Sequence, residues 1–359
     1  MKKVIIFAAS LILFWLNSHS QGCIAVRNIS GFGQYNFTDN AFSTSNWQID
    51  LTGRYFKSFR DYKETIDQKT LSQNESVNHV SSLDISISRL FSKGWSVNFS
   101  LPITANARTA SFEHGGPNTK RYTTHSFGVG DIRLTAYKWL LQPAVKQRWN
   151  IQLGVGIKLP TGDYKYQDYF YRNDTTRILS AVNPSIQLGD GGTGFITEVN
   201  TFYIINKTFS LYGNFYYLIN PRDQNGVAFT AGRTPTSLQI RAGAVENSVP
   251  DVYSIRAGAY INLHNLSFSA GLRDEGSPVH DLIGESNGVR RAGHNLSVEP
   301  GILYRIKNTT LYAYVPVIVG RRIKQNVPDK NITDITGVYT VGMGGSGNYL
   351  VFAGVTFKL

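Results

Sequence analysis

The strongest constraint in this chain is its final stretch, residues 349–359, which alternates position by position to the last residue. Tyr349, Val351, Ala353, Val355, Phe357 and Leu359 share one face. Leu350, Phe352, Gly354, Thr356 and Lys358 share the other, which ends polar. Period-two alternation of this length marks a β-strand with two unlike faces. A closed barrel must pair its last strand with its first, so the question becomes whether upstream segments repeat this length and parity.

They do. Trp47, Ile49, Leu51, Gly53 and Tyr55 alternate with Gln48, Asp50, Thr52 and Arg54. After a polar loop, residues 79–91 set Leu83, Ile85 and Ile87 against Asp84, Ser86 and Ser88. Ser92-Lys93-Gly94 is a tight turn with glycine in place. Its partner strand sends Trp95, Val97, Phe99, Leu101 and Ile103 to one side and Ser96, Asn98 and Ser100 to the other. The same unit recurs as residues 128–140 with 149–159, 194–205 with 209–219, 252–263 with 266–272, and 295–306 with 310–319. With the first and last strands the count is twelve.

Loop lengths carry the topology. Connections after even-numbered strands are short, and those after odd-numbered strands run to roughly 20 to 30 residues, the rhythm of a transmembrane up-and-down β-barrel. Soluble sandwiches turn every 8 to 12 residues or so without that rhythm. The expected fold is therefore all-β, an antiparallel barrel with both termini on the short-turn side. Mean hydropathy below zero argues against a bundle of membrane helices. Trp47, Trp95 and Trp149 open strands at one depth, and Trp139 lies at the same level near the end of its strand, as an interfacial belt requires. Pro300 and Pro316 fall inside predicted strands, where each removes a ladder hydrogen bond, so a bulge is expected at one or both.

Residues 1–20 read as a cleaved signal peptide: Lys2 and Lys3, an apolar run from Val4 to Leu16, then Ser18 and Ser20 ahead of a cut before Gln21. That run is too short to span a bilayer as a helix. Residues 21–46, rich in Gly, Ser and Asn, form either a periplasmic arm or a luminal plug, and residues 47–359 form the barrel. Losing the leader takes the net charge from +12 to +10. A secreted chain without a basic cluster is not expected to bind nucleic acid. Basic loops facing outer-membrane lipid and lipopolysaccharide, or an anion-favouring lumen, account for the charge better. Cys23 is the only cysteine, so no internal disulfide exists; it is either a small buried side chain or a lipidation site.

If the apolar face meets lipid, the other face lines the lumen. That set comprises Asp50, Arg54, Asp84, Asp131, Arg133, Lys158, Glu198, Arg256, Glu299, Arg305 and Lys358, with Tyr212, Tyr216, Tyr260, Tyr312 and Tyr314. A charge on the lipid side would cost about 2 to 4 kcal/mol at mid-depth, so parity forces these inward. They are either a structural ladder filling a modest barrel or the walls of a conduit for a small solute.

Enzymatic chemistry has thin support. His294 and Ser297 are three apart on a strand and so point to opposite faces. His280-Asp281 and Glu285-Ser286 share a long loop, but a triad is defined by geometry that a loop does not fix. No histidine spacing suits zinc, and no loop suits calcium. Gly189-Asp190-Gly191-Gly192 and Gly342-Met343-Gly344-Gly345 lack the lysine and helix of a phosphate loop.

Gly128-Val129-Gly130-Asp131 opens a strand, Leu159-Pro160-Thr161-Gly162-Asp163 closes the next, and Gln187-Leu188-Gly189-Asp190-Gly191 precedes another. In these segments, within about residues 125–200, the chain resembles the outer-membrane channel family of the MetA-pathway of phenol degradation. The segments read as barrel punctuation, glycines and a proline where the chain curves or turns at the rim. The resemblance implies a transporter-like barrel of a Gram-negative outer membrane that passes small, often aromatic or hydrophobic molecules, with no cofactor and no binding residue to carry over. The leading expectation is such a channel. The alternatives are an outer-membrane lipid hydrolase, and a sealed structural or adhesion barrel acting through its surface loops.

Overall fold

The structure is a computed structural model, and it describes residues 47–68, 75–141 and 148–359. The leader, the 21–46 segment and Cys23 lie outside the described residues. Fourteen strand segments form one sheet, and two of the strands are each broken into two segments, which leaves twelve antiparallel strands. In chain order they are β1 (Trp47–Ser58), β2 (Val77–Leu90), β3 (Trp95–Ala110), β4 (Tyr122–Val129 and Arg133–Trp139) and β5 (Trp149–Lys158). There follow β6 (Gly194–Ile204), β7 (Phe209–Ile219), β8 (Val252–Leu263), β9 (Leu266–Ser277), β10 (Gly293–Ile306), β11 (Thr309–Tyr314 and Val317–Ile323) and β12 (Leu350–Lys358).

Each strand pairs with its sequence neighbours, and β12 pairs with β1 from Gln48↔Lys358 to Phe56↔Leu350, closing the cylinder. Closure leaves no strand edge unpaired, which is what a bilayer demands of β-structure. The faces are inverted relative to a soluble domain. Leu83, Ile87, Phe99, Leu134, Leu153, Phe215, Leu272 and Ile302 stand exposed on the outer wall, while Asp50, Ser86, Gln152, Asn200, Arg256 and Glu299 are buried on the inner one. No helix among the described residues is long and apolar enough to cross a membrane, so the cylinder is the spanning element.

The two broken strands show what the prolines do. Between β3 and β4 the register moves from Ile103↔Val129 to Ser100↔Arg133, so Gly130, Asp131 and Ile132 together face Leu101 and Pro102. The extra residue is a bulge opposite a proline that has no N–H to give. On β11 the strand breaks at Val315-Pro316, directly across from Pro300. The register then slips between Leu296 and Ser297, where Val319 is the additional residue.

Trp139 departs from the expected belt. Trp47, Trp95 and Trp149 are about half exposed on the outer wall, but Trp139 is buried and packs edge-on against Phe202. Beyond the bulge β4 sends Thr135, Tyr137 and Trp139 inward together, so depth along the barrel did not decide the face. The strands also run further outward than the alternation suggested: β9 continues through Arg273 and Glu275 to Ser277.

Candidate functional site

Two layers of polar chemistry occupy the barrel. The deeper one is the inner wall. On β8 to β10, Arg256 donates from Nε and Nη2 to Glu299 Oε1 at 3.0 and 2.6 Å. Arg273 bridges Glu299 Oε2 at 3.3 Å and Glu275 Oε2 at 2.6 Å. These four side chains are at most 1 % exposed. Charges so buried persist only when paired and hydrogen-bonded, and here each carboxylate meets a guanidinium. Aromatic faces complete the shell: Arg256 lies 5.2 Å from the Tyr314 centroid, Arg273 lies 5.2 Å from that of Phe352, and those two rings stack at 4.5 Å. Tyr212, Tyr260, Tyr312, Phe56 and Leu350 pack into the same cluster.

One strand further on, beside Arg256 through its cross-strand partner Asn214, the wall changes character. Glu198 accepts from Tyr137 Oη at 2.9 Å and from the side-chain amides of Asn200 and Asn214 at 3.1 Å each. Asn200 also donates to Gln152 Oε1 at 3.0 Å. Here neutral donors, rather than a guanidinium, hold the carboxylate.

The remaining sequence-selected residues sit as follows. Asp50 is buried and accepts from Gln48 Nε2 at 2.9 Å and from the Thr356 hydroxyl. Arg54 donates to Ser82, which donates to Asp84. Arg133 lies 5.9 Å from the centroid of the buried Tyr216, and Arg305 and Lys358 are half-buried towards the short-turn end. Arg273, Glu275 and Arg108 belong to the same polar interior but were not selected. The polar positions Ser267, Ser269, Arg273, Glu275 and Ser277 carry the parity that would have found the first two.

The second layer lies at the long-loop end, where the loop of residues 159–193 folds into the barrel mouth. The bulge at residues 130–132 turns Asp131 inward. Its Oδ1 accepts the Gly162 N–H at 3.0 Å and its Oδ2 the Asp190 N–H at 3.2 Å. Lys158 reaches both carboxylates, that of Asp131 at 3.6 Å and that of Asp190 more closely. Glycine is required where these segments touch: a Cβ on Gly162 would lie 2.6 Å from the Leu188 carbonyl oxygen, and one on Gly189 would lie 2.8 Å from that of Gly162. The three glycine-rich segments singled out in sequence thus meet at one junction. From it residues 182–188 descend into the mouth, where Val182, Ile186 and Leu188 are buried. The Ile186 carbonyl accepts from Asn106 Nδ2 at 3.2 Å and from the Ser126 hydroxyl. Asn183 donates to Glu113 at 2.7 Å, and Glu113 takes both short bonds from Arg108 Nε, at 2.9 and 3.0 Å. Burial alone would raise the Glu113 pKa, but Arg108 and Asn183 outweigh it and hold the carboxyl below its ordinary value.

The hydrolase candidates are not assembled. Asp281 is engaged by Arg290 at 2.6 and 2.7 Å, and His280 faces Lys330 Nζ at 3.4 Å. His294, on the outer face, bonds Asp274 at 2.9 Å, while Ser297 is buried inside. Among the described residues no cluster of His, Cys, Asp and Glu could hold a metal ion.

Fold and face chemistry define the class as a transmembrane β-barrel of the outer-membrane type. No family model matches the chain, and no curated protein matches it in sequence. Among solved structures it is similar to an outer membrane channel from Pseudomonas putida F1, with a TM-score of 0.59 at 10% identity over 88% of this chain and 96% of that one. A FadL homologue from Pseudomonas aeruginosa aligns with a TM-score of 0.43 at 8% identity, over 94% and 96% of the two chains. The Pseudomonas putida toluene transporter TodX aligns with 0.42 at 11%, also over 94% and 96%. At 10% identity, the likeness to the Pseudomonas putida F1 channel is one of fold.

Proposed function

We propose that the protein is a passive channel of a Gram-negative outer membrane for small hydrophobic or aromatic molecules. One observation carries the reading: the inner wall holds a contiguous aromatic band of Tyr212, Tyr260, Tyr312, Tyr314 and Phe352, beneath a loop that narrows the mouth. An interior that served only water and ions would need no such band, whereas an aromatic solute gains from ring faces and edges. The resemblance of the junction segments to the phenol-degradation channel family, and the likeness of fold to the Pseudomonas putida F1 channel, point the same way. The wall residues Asp50, Arg54, Asp84, Arg133, Lys158, Glu198 and Arg305 would set the polar side of the path.

A closed structural barrel is favoured by one observation, the near-complete burial of the Arg256–Glu299–Arg273–Glu275 cluster. Uptake of a labelled monoaromatic by intact Gram-negative cells separates the two, because their lipopolysaccharide leaflet passes such solutes slowly. Faster uptake with the barrel folded in the membrane supports the channel. Unchanged uptake, together with silence in planar bilayers, supports the closed barrel.

A further inference from the structure

Above the mouth, the loops of residues 111–121, 159–193 and 220–251 border a partly open cavity of about 350 Å³ that the proposed path does not by itself require. Its size falls within the roughly 300–1,000 Å³ of small-molecule pockets. Phe112, Phe170, Phe229 and Val182 supply an apolar wall, and the exposed Arg233 lies at its edge.

The electrostatics of this cavity are unbalanced. The one carboxylate that lines it, Glu113, is already neutralised by Arg108 and capped by Asn183. Arg233 donates to the His114 carbonyl at 2.6 Å, and Arg172 donates to the carbonyls of Glu113 and His114 at 2.7 and 3.1 Å and to that of Ala231. Both guanidiniums are therefore tied to main-chain oxygens, and among the described residues neither forms an ion pair with a carboxylate. Burial and the nearness of Arg233 hold Arg172 below its ordinary pKa, so the two cations strain against each other. A third, Arg291, lies 5.7 Å from the centroid of Phe229.

We propose that this cavity is a receiving site for a small aromatic monocarboxylate, its ring among Phe112, Phe170 and Phe229 and its carboxylate at Arg233, with the neighbouring Arg172 adding to the positive field without lining the cavity. A planar guanidinium matches a carboxylate fork, and one negative charge relieves the repulsion between the pair. A neutral aromatic would fill the same apolar volume and leave the cations uncompensated. The proposal deepens the channel reading and rests on it for its role in uptake, by naming the solute class that the mouth selects.

The test is equilibrium dialysis of labelled benzoate and of labelled benzyl alcohol against the folded full-length barrel in detergent. Benzoate should bind about tenfold more tightly than benzyl alcohol, the expected worth of a charge-assisted bond. Arg233→Gln, at an exposed side chain, should remove that preference and leave benzyl alcohol unchanged. Ala228→Trp, which fills the cavity and touches neither arginine's bonds, should weaken both ligands. Heat-dependent migration on gels confirms that each variant is folded. Equal binding of the two ligands, or a preference that survives Arg233→Gln, overturns the site. If benzoate fails to bind while monoaromatics still enter cells, the site falls and the channel stands. If benzoate binds as described and nothing enters, the site stands as a receptor and the channel reading falls.

Discussion

The inner wall of the barrel and the loops capping it are both polar and both buried, yet they are held by different means. In the wall, every inward side chain rides on a strand bonded on both sides, so its position follows from ladder register. In the cap, position rests on a few side-chain bonds spanning long stretches of sequence: Asp131 to Gly162 and Asp190, Asn106 to Ile186, and Asn183 to Glu113. The wall should therefore fail as a unit, and the cap should open locally while the cylinder survives.

The sharpest test of that contrast is Glu299→Gln. It removes the carboxylate that both Arg256 and Arg273 bond, at the centre of a fully buried charge cluster. Breaking a buried ion pair by deleting one partner costs about 3 to 5 kcal/mol. The loss should appear in urea unfolding of the refolded barrel. Glu198→Gln is its control within the wall. There the carboxylate meets only neutral donors, so the cost should be about 1 kcal/mol. Equal losses at the two positions would mean that the charged cluster is no more essential than the amide ladder.

Next in size is Asp131→Asn, at the seam between wall and cap. The substitution turns one of two acceptors into a donor and removes the charge facing Lys158, a local cost of about 1 to 3 kcal/mol. Protease should cut residues 159–193 faster and single-channel conductance should rise, while gel migration of the folded barrel stays the same. Should the whole barrel unfold earlier instead, the cap is part of the cylinder's stability and the distinction between the two regions collapses.

The same division explains what the sequence disclosed. Parity alone separates the oily outer wall from the polar inner one, because a strand has only two faces. The twelve strands and the inward positions of Arg256 and Glu299 follow from that parity. It failed where a strand was ended early, as at Leu272, which hid Arg273 and Glu275. It also failed where depth was allowed to stand in for face, as at Trp139. The cap has no period to read. Gly130-Asp131, Thr161-Gly162 and Gly189-Asp190 looked like separate punctuation marks, because nothing in the spacing of three glycine-rich segments says that their backbones touch. Only their convergence shows that each glycine makes room for another segment and that Asp131 ties them together.

The smallest effect expected is a pH response confined to the cap. His114 is buried beside Phe170 and accepts the Tyr171 N–H on Nδ1 at 3.0 Å, so the fold requires the neutral ring. Burial lowers its pKa from the ordinary 6.5, Arg172 and Arg233 lower it further, and Glu113 and Asp168 offset only part of this. A depressed folded-state value means that the open loops bind the proton more readily than the closed ones. The contribution of His114 is thus complete above about pH 6.5 and is lost as pH falls below it towards the depressed value. Hydrogen exchange at Tyr171 and its neighbours should accelerate as pH falls below about 6.5, while the strand amides, after correction for intrinsic rates, do not change. His114→Gln should flatten that response. If the strands respond equally, the protonation reaches the wall, and the independence of cap and cylinder does not hold.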